Sequence, residues 1–98
     1  MKVSKETIDA TSRKLAETLL KKNTDYGDAV SSPPYLAPNL DAGTALLVRM
    51  SDKTSRIRNL VETGRNEVNE SLKDSVLDLA GYCLLYLIVT EKGSGNEM

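Results

Sequence analysis

The sequence predicts an all-α fold, a three-helix antiparallel bundle with one long loop that assembles as an oligomer. Apolar residues recur at separations of three and four in three segments, which is typical of amphipathic helices. Glycine and proline are concentrated between the first and second of these segments. With 98 residues, 40% of them hydrophobic and 28% charged, the chain has the size and composition of one soluble domain. We therefore expect a single helical domain over residues 1–98.

The first helix is predicted over residues 4–22. Ser4 is a suitable N-cap, since its hydroxyl can accept a hydrogen bond from a free backbone N–H of the first turn. Ile8, Leu15 and Leu19 lie on one side of this helix. Because this apolar stripe is thin, we expect the helix to depend on its packing partners.

Residues 23–40 are predicted to form the long loop. The segment holds Gly27 and three prolines, all of which are unfavourable inside a helix. Loops of this length are uncommon in small domains and are often functional, although a solvated connector is equally possible. The candidate ligand-binding residues of the loop are Asp25, Tyr26, Asp28 and Tyr35.

The second helix is predicted over residues 41–61, with Asn39 or Asp41 as the N-cap and Gly64 in the turn that follows. The third helix is predicted over residues 67–91. Because the connection between the two helices is short, we expect them to pack antiparallel.

The third helix lacks charge in its second half, from residue 80 to residue 89. A helix that is apolar on all sides has to be covered on all sides. We therefore expect a homo-oligomer formed through Gly81–Val89, with Gly81 allowing close approach of a neighbouring helix. The alternative is that the first helix and the long loop cover this segment within one chain. Residues 93–98 are expected to be a frayed tail.

The composition excludes several kinds of protein. Without histidine the chain cannot form a Ser-His-Asp or Cys-His site or the usual zinc sites, and the single Cys83 excludes an internal disulfide. A net charge of −1 argues against binding to a polynucleotide. The longest apolar run is about half of the roughly 20 residues that span a bilayer, so we expect no membrane partner. A signal peptide is not apparent, so we expect a cytoplasmic protein.

Two charged strips are predicted to face each other across the second and third helices. Three carboxylates of the third helix lie along one strip, namely Glu70, Asp74 and Asp78. Three cations of the second helix lie along another, namely Arg49, Lys53 and Arg56. In an antiparallel pair we expect the contacts Asp78–Arg49, Asp74–Lys53 and Glu70–Arg56.

These strips have a structural and a functional interpretation. They can be a ladder of salt bridges between helices, each worth about 0–1 kcal/mol when exposed. They can instead line a polar cleft for a phosphorylated ligand, in which the arginines and Lys53 contact phosphate oxygens and Asp52 lies close by. Tyr26 or Tyr35 would then pack on a base. If magnesium is used, its ligands would be the carboxylates Glu70, Asp74 and Asp78.

Three motifs resemble one known family. Residues 22–28, KNTDYGD, resemble the KNxDYG opening of the nucleotide-modification-associated domain family, first type. Residues 49–56, RMSDKTSR, resemble its RxxDKxxR motif, and residues 70–82 resemble its ESxxDxxxDLAxY motif. The resemblance spans about residues 22–87. It implies a protein of phage or bacterial nucleotide metabolism, located in the host cytosol if a phage encodes it. It also implies these site residues: Asp25, Asp28, Arg49, Asp52, Lys53, Arg56, Glu70, Asp74 and Asp78.

The pattern is also distantly similar to the all-α nucleoside-triphosphate pyrophosphatases, which bind magnesium through ExxE and ExxD motifs on successive helices. Here the acidic spacing is i+4 and the first helix has no matching acidic pair, so whether the protein is an enzyme stays open. The leading hypothesis is a small phage-type protein that binds a nucleotide or nucleotide-derived signalling molecule and sequesters it as a counter-defence. The alternatives are a magnesium-dependent nucleoside-triphosphate pyrophosphatase and a non-catalytic assembly module.

Overall fold

The computed structural model describes residues 2–26, 34, 36–64 and 70–94, with side chains described over 2–22, 34, 36–64 and 70–91. Within these residues the chain forms three helices and no strand. The helices are α1 (Lys5–Tyr26), α2 (Ala42–Thr63) and α3 (Leu72–Ser94). The prediction of an all-helical fold with three helices is therefore confirmed.

Helix α1 begins as predicted but ends later. The backbone N–H of Thr7 donates to Ser4 Oγ at 3.2 Å, and the backbone N–H of Ser4 donates to Thr7 Oγ1 at 2.9 Å, so the two hydroxyls cap the first turn reciprocally. The helix continues to Tyr26 because neither glycine nor proline interrupts it before Gly27. Asp25 and Tyr26, expected in the loop, are thus helical.

Helix α2 is capped at both ends by residues that the sequence singled out. Asp41 is the N-cap, and its Oδ1 accepts a 2.7 Å hydrogen bond from the backbone N–H of Thr44. That hydrogen bond lowers the pKa of the Asp41 carboxyl. Gly64 ends the helix with φ of 73°, a left-handed conformation that glycine adopts without steric cost, and its N–H donates to the Leu60 carbonyl at 3.0 Å.

Helix α3 begins and ends later than predicted. The backbone N–H of Asp74 donates to Ser71 Oγ at 3.0 Å, so Ser71 caps a helix that starts at Leu72 rather than at residue 67. The helix continues to Ser94, into the segment expected to be a frayed tail. Residues 65–69 and 95–98 lie outside the described residues.

Helices α2 and α3 pack antiparallel, as predicted. Near the start of α2, a Cβ atom on Gly43 would lie 3.3 Å from Cγ2 of Thr90, close to the end of α3. Near the other end of α2, Arg56 Nη2 donates to the backbone carbonyl of Glu70 at 3.2 Å. Between these points lie the two fully buried side chains of the described residues, Leu46 at 1% exposure and Ser75 at 0%.

Helix α1 packs against α3 near residue 19. A Cβ atom on Gly81 would lie 2.8 Å from Cδ2 of Leu19, which is too close for any larger residue without movement of that leucine. Gly81 was expected at a contact between copies, but it is buried against α1 of the same chain. Residues 5–14 of α1 are all exposed.

None of the described helices has both the length and the apolar character needed to cross a bilayer.

Candidate functional site

Lys53 lies at the centre of a polar cluster between α2 and α3. Its Nζ is 3.1 Å from Glu70 Oε2 and 3.1 Å from Asp78 Oδ2, so one ammonium group bridges two carboxylates. The Lys53 side chain is 20% exposed, and both carboxylates are similarly buried. Ion pairs shielded to this degree are screened less by salt than surface pairs. We call Lys22, Lys53, Arg56, Glu70, Ser75 and Asp78 the polar cluster.

Glu70 is the point where the most interactions of the cluster meet. Its Oε2 accepts a 2.6 Å hydrogen bond from the hydroxyl of Ser75 and lies 3.4 Å from Nε of Arg56. Because Arg56 also donates to the Glu70 backbone carbonyl, this arginine holds the main chain at the entry to α3 as well as the side chain. Helix α2 thereby holds the backbone that leads into α3.

Asp78 connects the cluster to α1. Its Oδ1 lies 2.8 Å from Nζ of Lys22, while its Oδ2 faces Lys53. The cluster therefore takes side chains from all three helices. Among the described side chains it contains three cations and two carboxylates.

The environment of the cluster favours the charged form of its central groups. The hydrogen bond from Ser75, followed by that from Lys53, lowers the pKa of Glu70. Burial raises the pKa of Asp78, but hydrogen bonds from Lys22 and Lys53 outweigh it, so the pKa is lowered overall. Burial likewise opposes the charge of Lys53, and its hydrogen bonds to Asp78 and Glu70 reverse that effect and raise its pKa.

The predicted pairing of the two charged strips is right at one of its three contacts. The Glu70–Arg56 contact is confirmed. Lys53 pairs with Glu70 and Asp78 rather than with Asp74, which is exposed and forms no ion pair within the described residues. Glu70 precedes Leu72, the first residue of α3, so it does not follow the helical spacing that relates Asp74 to Asp78. Asp74 and Asp78 are about 40° apart around α3, and of these two it is Asp78 that faces Lys53.

Arg49 lies one helical turn before Lys53 and differs from the cluster cations. It was expected beside Asp78, but its guanidinium carbon lies 6.0 Å from the centre of the Tyr82 ring, a cation–π distance. Arg49 is exposed and forms no ion pair with any side chain that the structure describes. Its N–H donors remain available to a ligand that approaches this edge of α2.

The structure separates the remaining predicted ligand-binding residues from the cluster or leaves them undescribed. Asp52 is exposed and belongs to none of the described ion pairs. The side chains of Asp25 and Tyr26, and the whole of Asp28 and Tyr35, lie outside the described residues.

The three predicted magnesium ligands do not come together. No group of three acidic or cysteine side chains with metal-binding geometry occurs in the described part of the chain. Glu70 and Asp78 both face the ammonium of Lys53, and Asp74 is turned away from them. In this structure Glu70 and Asp78 bind cationic side chains of the protein itself.

Sequence reasoning missed Lys22 and Ser75. Lys22 is the first residue of the KNTDYGD segment, and that position was the available signal for it. Its contact with Asp78 depends on where α1 meets α3, which helical periodicity does not specify. Ser75 carried no signal, since a serine in a helix is usually exposed.

The comparisons with known proteins agree with the motifs. The family described as nucleotide modification associated domain 1 matches residues 22–89, which is more than two thirds of the chain and includes every residue of the polar cluster. No curated protein and no solved structure matches the chain. Similarity to the all-α nucleoside-triphosphate pyrophosphatases thus stays a prediction. The chain belongs to the nucleotide modification associated domain 1 family.

Proposed function

We propose that the protein binds a nucleotide or a nucleotide-derived signalling molecule at the edge of α2 that carries Arg49, Lys53 and Arg56. The observation that carries the proposal is the contrast among these cations. Lys53 and Arg56 are held by the carboxylates of Glu70 and Asp78, whereas Arg49 is exposed beside them with no ion pair in the described structure. The family description supports a nucleotide as the class of ligand.

The chemistry of the three cations suits phosphate oxygens. Arginine presents a planar fork that can donate two parallel hydrogen bonds to a phosphate, and lysine acts as a point charge. Glu70 and Asp78 hold Lys53 and Arg56 in place before the ligand arrives, which lowers the entropy lost on binding. The ring face of Tyr82 lies against the Arg49 guanidinium. The N–H groups at the rim of that guanidinium can therefore still donate to a ligand.

Binding without chemistry is the form of the proposal that the cluster supports best. Both cluster carboxylates face cations of the protein, so a metal-dependent hydrolysis would first have to displace Lys53 from Glu70 and Asp78. In a phage, a protein of this kind would sequester a nucleotide signal of the host as a counter-defence. A pyrophosphatase and a plain assembly module remain the alternatives that experiment has to separate.

Self-association is the second part of the proposal. Within Gly81–Val89, Gly81 is buried against α1, and the exposed apolar side chains are Cys83, Leu84, Leu87 and Ile88. A homo-oligomer would therefore use this exposed side of α3 rather than the whole segment.

The test of ligand binding combines two measurements. Mass spectrometry of small molecules released on denaturation should find a nucleotide, and nucleotides or cyclic nucleotides should raise the melting temperature, since a ligand that binds the folded state stabilises it. Arg49→Gln should abolish the ligand-induced shift and leave the unliganded melting temperature within about 2 °C of wild type.

The matched control is Arg58→Gln, on the same helix. Arg58 forms an exposed pair with Glu62 at 3.2 Å, away from the cluster, so this variant should respond to ligand like wild type. If no nucleotide shifts the melting temperature, or if Arg49→Gln keeps the full shift, binding at this edge is wrong. Pyrophosphate release in the presence of magnesium, lost in Asp78→Asn, would establish the pyrophosphatase instead.

A further inference from the structure

The side of α3 that faces away from α2 carries an exposed apolar stripe, which we call the outer stripe. Its most exposed large residue is Leu87, at 61%. Its members are Val76, Ala80, Cys83, Leu84, Leu87 and Ile88, of which all but Ala80 are exposed. They recur at separations of three and four, so they form a continuous seam of the kind that packs against another helix.

The described residues bury few large apolar side chains, so leaving the outer stripe in water would give up much of the apolar surface that the fold could bury. Leu46 is the single large hydrophobic side chain that is fully buried among the described residues. Monomeric soluble proteins rarely expose a contiguous apolar surface of more than a few hundred Å². The outer stripe therefore needs an occupant.

The charges at the two ends of the stripe indicate what that occupant is. Lys73 and Glu91 are both exposed, and they are 18 residues apart, which is five full helical turns and places them on the same side of α3. They are about 27 Å apart along the helix axis. A second α3 running in the opposite direction would place Glu91 of the second copy opposite Lys73, and the reverse contact would form at the other end.

The apolar residues between these ends match under the same alignment. Setting Lys73 opposite Glu91 centres the contact on Tyr82, so Val76 lies opposite Ile88 of the second copy and next to its Leu87. The small Ala80 lies opposite Leu84 of the second copy and next to its Cys83. Each contact occurs twice, as two-fold symmetry requires. A parallel arrangement would instead set Lys73 against Lys73 and Glu91 against Glu91.

We infer that the outer stripe of α3 is the contact surface of a two-fold symmetric dimer in which the α3 helices of two copies pack antiparallel. This inference rests on the proposed self-association but not on nucleotide binding. Lys73 and Glu91 set the direction of the helices, while the apolar residues supply the driving force.

The first experiment asks whether the stripe is the dimer contact. Sedimentation at several concentrations should show a dimer of the full chain, and Leu87→Glu should raise its dissociation constant about 100-fold, since two buried leucines are lost per dimer. Val48→Glu is the matched control, because Val48 is 51% exposed on α2 and should not affect association. A short bis-maleimide should link Cys83 to Cys83 of the second copy, and Cys83→Ser should prevent the link. This measurement does not depend on how well Leu87→Glu folds.

The second experiment asks whether the helices are antiparallel. Lys73→Glu and Glu91→Lys should each weaken the dimer about 5-fold at low salt, and the double variant should restore wild-type affinity. A monomer at all concentrations overturns both self-association and this arrangement. A dimer that the double variant fails to restore, or one that Val48→Glu disrupts instead, overturns the antiparallel contact alone.

Discussion

Helices α2 and α3 are joined along almost their whole length, whereas α1 meets α3 over a short stretch. Contacts between α2 and α3 run from Gly43 and Thr90 at one end to Arg56 and Glu70 at the other. The described contacts of α1 with α3 lie about one turn apart, at Leu19 and Lys22, and its first ten residues are exposed. The comparison indicates that the helical pair carries the stability of the fold, and that α1 is the element most easily moved.

The largest expected effect comes from the core of the pair. Leu46→Ala should lower the free energy of unfolding by about 2–5 kcal/mol, because it leaves a cavity at the most buried apolar position of the described structure. Leu47→Ala is the matched control, since the neighbouring leucine is 46% exposed and should cost less than about 1 kcal/mol. Urea unfolding followed by circular dichroism measures both. Equal losses would mean that the core of the fold lies elsewhere.

The next effect comes from the polar cluster. Lys53→Met removes the cation shared by Glu70 and Asp78 and should destabilise the fold by about 1–3 kcal/mol, as expected for losing charged hydrogen bonds at partly buried groups. Arg58→Gln, which breaks an exposed pair of the same helix, should change stability by less than about 0.5 kcal/mol. Similar values for the two variants, measured by urea unfolding, would show that the cluster is no stronger than a surface salt bridge.

The pH dependence follows from the lowered pKa values of Glu70 and Asp78. A carboxyl whose pKa is lower in the folded state stabilises the fold fully above its unfolded pKa, and this contribution is lost as the pH falls through the folded value. The ordinary values are 4.5 and 3.8, so the melting temperature should fall progressively below about pH 4.5. The raised pKa of Lys53 gives the opposite pH dependence. Its contribution to stability is fully present below the ordinary value of 10.5 and is lost as the pH rises above it.

Ser75→Ala sharpens the acid part of this prediction. The Ser75 hydroxyl is the largest influence that lowers the pKa of Glu70, so its removal should raise that pKa and flatten the acid slope of melting temperature against pH. Ser71→Ala is the control, because Ser71 caps α3 without touching the carboxylate. An unchanged slope in Ser75→Ala would assign the acid sensitivity to other carboxylates.

The smallest effect on global stability should come from α1. Lys22 is half exposed, so Lys22→Met should cost no more than about 1 kcal/mol. Its effect should be local, with faster hydrogen exchange of the backbone amides of α1 and unchanged protection in α2 and α3. Uniformly faster exchange in all three helices would show that α1 unfolds together with the pair.

The sequence was sufficient to predict the three helices, but it predicted only part of the polar cluster. Caps and breakers such as Asp41 and Gly64 act locally, so they locate helix ends from the sequence alone. The antiparallel pairing of α2 and α3 followed from their short connection. The partners of Lys53 did not follow, because they depend on where α3 begins, which leaves Glu70 outside the helix, and on how α3 is rotated against α2. Lys22 joined the cluster through the placement of α1, which its thin apolar stripe did not determine.

The bridge that Lys53 forms has a consequence for how α3 can move. Its ammonium reaches Glu70 and Asp78 at the same distance, although these residues are eight positions apart in the chain. A slip of α3 along α2 by one turn, about 5.4 Å, would break both contacts, and in one direction it would bring Asp74 to the place of Asp78. Lys53 would then hold one carboxylate instead of two, so its bridge favours the observed register of the helical pair over the neighbouring one.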